Sequence, residues 1–421
     1  MLLLDLTPLR RYRDYRLLYS GQFASFIGTQ LSYVALPYQV YQLTHSSLAV
    51  GMIGMAQLVP LVVFGLIGGV FADSQDRRRL LIAAELCMVL LCAMLFANAS
   101  RATPAVWPLY ALAALRSAVA GFHRPALEAM TPRLVPKEAM PAVAALSSLR
   151  GNVGMIGGPA LAGLILEVAG AAGPAWVYAL DALSYGVSLL TLWQLRSPGP
   201  PPSSEPASLR AIVEGLRYAA SRQELLGTYV VDMVAMIFGM PMALFPAIAE
   251  GLGGPRVLGW LYAAPSVGAL AMTLFSGWAG RIRRHGVAIA ISAGLWGIAI
   301  IGFGYSRSVP LALFFLGLAG AADMVSGLFR STVWNQTIPD KLRGRMAGVE
   351  MISYMSGPQL GNAEAGLAAA YAGVTFSVVS GGVLCVVGVA LCVGLLPRFW
   401  RYDSHEFAAA ADSHAAAEPS S

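Results

Sequence analysis

From Leu17 to Ala72 the chain contains no Asp, Glu, Lys or Arg. A bilayer core about 30 Å thick is crossed by about 20 apolar residues in a helix. This run therefore holds two spans joined by Leu43-Thr44-His45-Ser46-Ser47. The charged stretch Gly69 to Arg79, G-V-F-A-D-S-Q-D-R-R-R, follows, and the next run, Leu80 to Ala99, carries only Glu85. The charged stretch marks a return to water between membrane spans.

The rest of the chain repeats this pattern. It is 57% hydrophobic and 12% charged, against about 25% charged in soluble proteins. A soluble enzyme or nucleic-acid-binding domain is excluded, and the net charge of +6 matters through its placement. Cys87, Cys92, Cys385 and Cys392 all lie in apolar runs and are read as small apolar residues.

The predicted fold is an all-α polytopic membrane protein with twelve transmembrane helices in two pseudo-symmetric six-helix bundles. The first six spans are Leu17–Gln42, Leu48–Ala72, Leu80–Ala99, Ala105–His123, Met140–Ala169 and Pro174–Leu195. The second six are Leu225–Ala249, Val257–Gly280, Val287–Tyr305, Val309–Phe329, Val349–Tyr371 and Val374–Leu396. The predicted domains are 1–195, a cytoplasmic linker 196–224, 225–398 and a disordered cytoplasmic tail 399–421. The linker opens on S-P-G-P-P-P-S-S-E-P, which cannot pack a core. It then places Leu209, Ile212, Val213, Leu216 and Ala220 on one helical face, suited either to the headgroup region or to a soluble connector.

Only Arg101, Arg256 and Arg307 fall on one side of these spans and only Arg116 and Arg150 inside them; the remainder of the 28 Lys and Arg, Arg330 among them, lie on the side of both termini. The bias predicts a cytoplasmic (inner) membrane protein with both termini cytoplasmic. A shift of 206 residues sets Gly121, Arg124, Thr131, Met140, Ser147 and Gly151 on Gly327, Arg330, Thr337, Met346, Ser353 and Gly357, the trace of a six-plus-six duplication.

With these features the chain resembles the major facilitator superfamily, and within it the twelve-span exporters of the enterobactin-exporter and drug–proton antiporter kind. The superfamily's loop motif is matched at Gly69, Asp73, Arg77 and Arg78, with departures at Ser74 and Asp76. The resemblance implies that these residues lock one side of the transporter. Gly154, Gly158, Pro159 and Gly163 look like the antiporter motif, with Ala162 in place of one glycine. Gly154, Gly158 and Ala162 also form a small-residue stripe for close helix packing. The implied function is secondary active export of a siderophore or drug-like molecule by proton antiport. A lipid or lysolipid flippase of the same fold is the alternative, and a membrane scaffold or receptor-like protein is the reading from another class.

Ionisable residues within spans are functional candidates by default. Asp323 or Glu364 is the expected proton carrier, because a buried carboxylate can gain or lose a proton with conformation. Arg116 and Arg150 are the expected substrate or coupling arginines, Arg116 facing Asp323 at similar depth. Glu85, Asp181 and Asp232 are placed nearer span ends, reaching water or a structural hydrogen bond. Tyr33, Tyr38, Trp260 and Tyr262 offer aromatic surface to a planar ligand. No nucleotide loop, clustered metal ligands or nucleophile with its base is present in the sequence. The expectation is therefore a non-enzymatic monomer without cofactor, metal or nucleic acid, whose partners are a small-molecule substrate, protons and the bilayer.

Overall fold

The computed structural model describes residues 5–74, 76–196, 209–339 and 342–403. Among them every long element is a helix. The first six are α1 (Arg13–Thr44), α2 (Ser47–Ser74), α3 (Arg77–Ala99), α4 (Trp107–Met130), α5 (Met140–Ala169) and α6 (Gly173–Gln194). A further eight follow: α7 (Leu209–Ser221), α8 (Gln223–Phe238), α9 (Phe245–Leu252), α10 (Pro255–Leu274), α11 (His285–Gly304), α12 (Val309–Thr337), α13 (Arg343–Ala372) and α14 (Val374–Leu395). Eight helical stretches among the described residues are long and apolar enough to cross a membrane.

The helix ends follow local chemistry. Asp76 caps α3 by accepting the Arg78 backbone N–H at 2.9 Å, which accounts for an acidic residue where the loop motif usually has glycine. Proline opens α4, α5 and α6, where its missing N–H costs nothing. Gly373, at φ 88°, separates α13 from α14 in a backbone conformation that a side chain would disfavour.

The sequence predicts one continuous seventh span, but the helix is interrupted. It stops at Phe238, passes through a 3₁₀ turn at Pro241–Leu244 and restarts as α9. Pro241 and Pro246 each remove a backbone donor within six residues of one another. The carbonyl of Gly239 is instead taken by the Trp296 indole at 2.9 Å.

The chain divides into two compact units, Met1–Ala207 with Met242–Ala263, and Ser208–Pro241 with Ala264–Ser421. In the first, α2 packs on α4, α1 on α5 and α6, and α3 on α4 and α6. In the second, α11 packs on α12 and α14, and α8 on α13 and α14. The linker helix α7 joins this unit by burying Ala219 beside Tyr229, Met346 and Val349. Its Leu216 stays half exposed. Leu90, Leu190 and Leu391, at 57%, 55% and 59% exposure, belong to an apolar exterior suited to lipid rather than water.

Candidate functional site

Two polar layers cross the first unit, and both join the same four helices. In the upper layer, Asp181 on α6 accepts hydrogen bonds from Ser32 on α1, Cys92 on α3 and Arg116 on α4, the last with Nη2 at 2.9 Å from Oδ2. Arg116 also contacts the Cys92 sulfur. The side chains of the ion pair are 12% and 0% exposed.

The lower layer is built on Glu85 of α3. Its Oε1 lies 2.7 Å from Gln22 Nε2 of α1, 2.9 Å from Ser188 Oγ of α6 and 3.0 Å from His123 Nε2 of α4. Cys92, Arg116 and Asp181 are each seven residues along their helices from Glu85, His123 and Ser188, so the layers are about 10 Å apart. Glu85 and Asp181 are therefore fully buried and held by structural hydrogen bonds, the second of the two expected environments, rather than reaching water. Breaking such a pair leaves an uncompensated buried charge, a loss of about 3–5 kcal/mol.

Arg150 on α5 is differently placed. Its guanidinium lies 5.9 Å from the centre of the Phe26 ring, a cation–π distance. It borders a cleft with Tyr15, Tyr19, Gln22, Thr131 and Ser147. Gly154, one turn on, has no room for a Cβ against Phe26, and Gly158 has none against Gln30. Gly163 meets the backbone of Pro255 and Gly259, while Gly259 in turn lies against the carbonyl of Pro159. The small residues thus let α5 seat the side chains of Phe26 and Gln30 of α1 and approach α10 backbone to backbone.

Residues 242–263 bring their own polar contacts to the first unit. Arg256 pairs with Glu167 at 3.0 Å, and the Tyr41 hydroxyl donates to Glu250 at 3.1 Å. Tyr33 packs edge-on to Tyr262 with ring centres 5.5 Å apart and donates to the Met242 sulfur. Tyr262 is buried and donates to the Met242 carbonyl, Tyr38 is half-buried, and Tyr33 and Trp260 keep 44% and 40% of their surface exposed.

The basic loop motif acts on helix ends. Arg77 donates to the Ala129 carbonyl at the end of α4, and Arg78 to the carbonyls of Leu192 and Trp193 at the end of α6, at 2.8–3.0 Å. Positive charge at these carbonyls complements the helix dipoles. Gly69 and Asp73 lie in α2, but the side chains of 66–75 fall outside the described residues.

In the second unit the organising residue is Arg330, whose sequence neighbourhood resembles a basic loop. Helix α12 continues to Thr337, so Arg330 lies inside it. Its guanidinium pairs with Asp232 of α8 and comes within 3.7 Å of Asp323. Arg330 and Asp232 are 12% and 11% exposed, whereas Asp323 keeps 43% of its side chain exposed. Glu364 on α13 is half-buried. The signals that could have marked Arg330 were its match to Arg124 in the repeat and its seven-residue spacing from Asp323, two helical turns.

A protein-family profile described as transmembrane secretion effector matches residues 4–417. The enterobactin exporters EntS of Shigella dysenteriae serotype 1 (strain Sd197) and Escherichia coli O81 (strain ED1a) are each 30% identical over 406 residues, spanning 94% of this chain and 94% of the relative. Among solved structures, a bacterial homolog of the human lysosomal transporter Spinster, inward-facing and unoccupied, matches with TM-score 0.74 at 14% identity, covering 94% of this chain and 99% of that one. A POT family transporter in complex with 5-aminolevulinic acid matches with TM-score 0.72 at 12% identity, covering 92% and 97%. These two likenesses concern the fold alone.

Proposed function

The chain belongs to the transmembrane secretion effector family of major facilitator transporters, multi-pass membrane proteins and not enzymes, and from that premise we propose that it expels a siderophore-like or drug-like molecule from the cytoplasm in exchange for protons. Alternating access of the two halves carries the substrate, with both termini on the cytoplasmic side of the inner membrane, and the monomer is the working unit. The similarity to enterobactin exporters along nearly the whole length of both chains supports the substrate class.

The observation that carries proton coupling is Asp323. It is a carboxylate within a membrane helix, 43% exposed and only 3.7 Å from a guanidinium already paired to Asp232. Such a group can exchange a proton with water in one conformation and be neutralised by Arg330 in another. Glu364, half-buried on α13, is the second proton candidate. Arg150, stacked over Phe26 beside a tyrosine-lined cleft, takes an anionic part of the substrate. Arg116 acts on coupling through its pair with Asp181. Trp260 and Tyr33 supply aromatic surface, with Tyr38 and Tyr262 behind them. Gly69, Asp73, Arg77 and Arg78 form the conformational lock.

The test is uphill transport in proteoliposomes under an imposed pH gradient, with a catecholate siderophore and a cationic dye offered separately. Catecholate movement that collapses in Asp323→Asn is the expected result, and dye movement alone selects the drug-like class. If Asp323→Asn and Glu364→Gln both still drive substrate uphill, the coupling assignment fails.

A further inference from the structure

The two buried carboxylates of the first unit differ in what neutralises them. Asp181 has a permanent cation, Arg116, at 2.9 Å. Glu85 has only His123, at 3.0 Å, and histidine is the side chain whose charge ordinarily changes near neutral pH. With one proton in it, the Glu85–His123 pair is electrically neutral and can stay inside an apolar bundle. Without that proton it is a bare anion whose side chain is 0% exposed, a state that burial penalises unless water enters.

We propose that Glu85 and His123 form a proton-exchange site in the first unit, with His123 as its opening to water. The placement of the polar atoms carries this. Glu85 Oε1 accepts from Gln22 and Ser188 and lies 3.0 Å from His123 Nε2, while Oε2, like Oδ1 of Asp181, is buried with no hydrogen-bond partner, so the two carboxylates differ in the cation beside them. His123 keeps 17% of its side chain exposed. Leu127, one turn further along α4, borders the cleft beside Arg150, as does Gln22, which bonds Glu85 from the other side. Loading moves one proton from hydronium in that cleft to the pair, and unloading returns it.

Of the other charged and titratable groups on the surrounding helices, Arg13 pairs with Asp14, Arg79 with Asp76, Arg16 donates to the Leu9 carbonyl, and Cys87 is exposed. On α4, α6 and α3, Arg116, Asp181 and Cys92 bind one another. Tyr185 bonds Thr29, Tyr178 bonds Gln39, Arg124 pairs with Glu128, and Arg77 and Arg78 hold helix-end carbonyls. Tyr15 and Tyr19 of α1 and Arg150 of α5 line the cleft, and the described side chains of α2 carry no charge. Among the described residues of this unit, Glu85 with His123 is the buried carboxylate whose partner is a histidine rather than an arginine.

The site deepens the antiport reading and rests on it for its purpose, but its own test needs no substrate. Amide hydrogen exchange of the full-length protein, corrected for the intrinsic pH dependence of exchange, is followed in α3 and α6 across about pH 5 to 8. Wild type is expected to open several-fold more readily at the upper end, where the unloaded pair draws in water. Glu85→Gln, uncharged at every pH, is expected to lose that dependence, and so is His123→Gln, which keeps the test alive if the first variant does not fold. Arg124→Gln, on the same helix, is expected to behave as wild type. An unchanged pH response in Glu85→Gln or His123→Gln overturns the site and leaves Asp323 coupling standing. Transport indifferent to the pH gradient, with the exchange result intact, overturns antiport instead.

Discussion

In the first unit Glu85 and Asp181 have no exposed side-chain surface, and each is bonded by side chains from three other helices. In the second unit Asp323 keeps 43% of its side chain exposed, with a single guanidinium 3.7 Å away. A shift of 206 residues places the buried apolar residues Ala322 and Phe329 where the first unit has Arg116 and His123. The first unit is cross-linked by polar layers, while in the second Asp232 is sealed against Arg330 and Asp323 stays open. A carboxylate held by side chains from several helices is expected to carry more of the stability than one left open beside a single guanidinium.

The strongest way to break this comparison is Asp181→Ala, which strands Arg116 in the bundle. A loss of about 3–5 kcal/mol is expected, read as a lowered unfolding midpoint in detergent; replacing Arg116 by Met as well should recover much of it. Next comes Gly158→Leu, whose Cβ would approach Gln30 to within 2.4 Å. Forcing α5 away from α1 should cost about 1–3 kcal/mol, visible in the same melt. Arg78→Met removes the donors to Leu192 and Trp193, with about 1 kcal/mol expected. The smallest effect on stability belongs to Asp323→Asn, within about 0.5 kcal/mol of wild type, although uphill transport by the same protein should be lost. A destabilisation of Asp323→Asn equal to that of Asp181→Ala would dissolve the distinction between the halves.

Much of the architecture was legible in the residues. Charge-free runs located the spans, the shift of 206 residues exposed the duplication, and Gly154, Gly158 and Gly163 announced the close packing that α5 makes. The polar pairings were less accessible. Arg116 was expected opposite Asp323 because their depths match, yet its guanidinium is taken by Asp181, 65 residues away in sequence. Arg330 looked like a loop residue because hydropathy ends a span at the first charge, whereas α12 continues beyond it to Thr337. A helix end is set by backbone hydrogen bonding and packing, and charge alone does not stop it.

By itself the sequence determined that this chain crosses a membrane many times, because the hydrocarbon core admits only long apolar helices. Which charges pair, which carboxylates are sealed and which stay open were decided only in the folded bundle. Partners such as Gln22, Glu85, His123 and Ser188 come from four helices. The rotation of each helix about its axis, fixed by packing, determines whether a buried charge meets a cation, a histidine or open space.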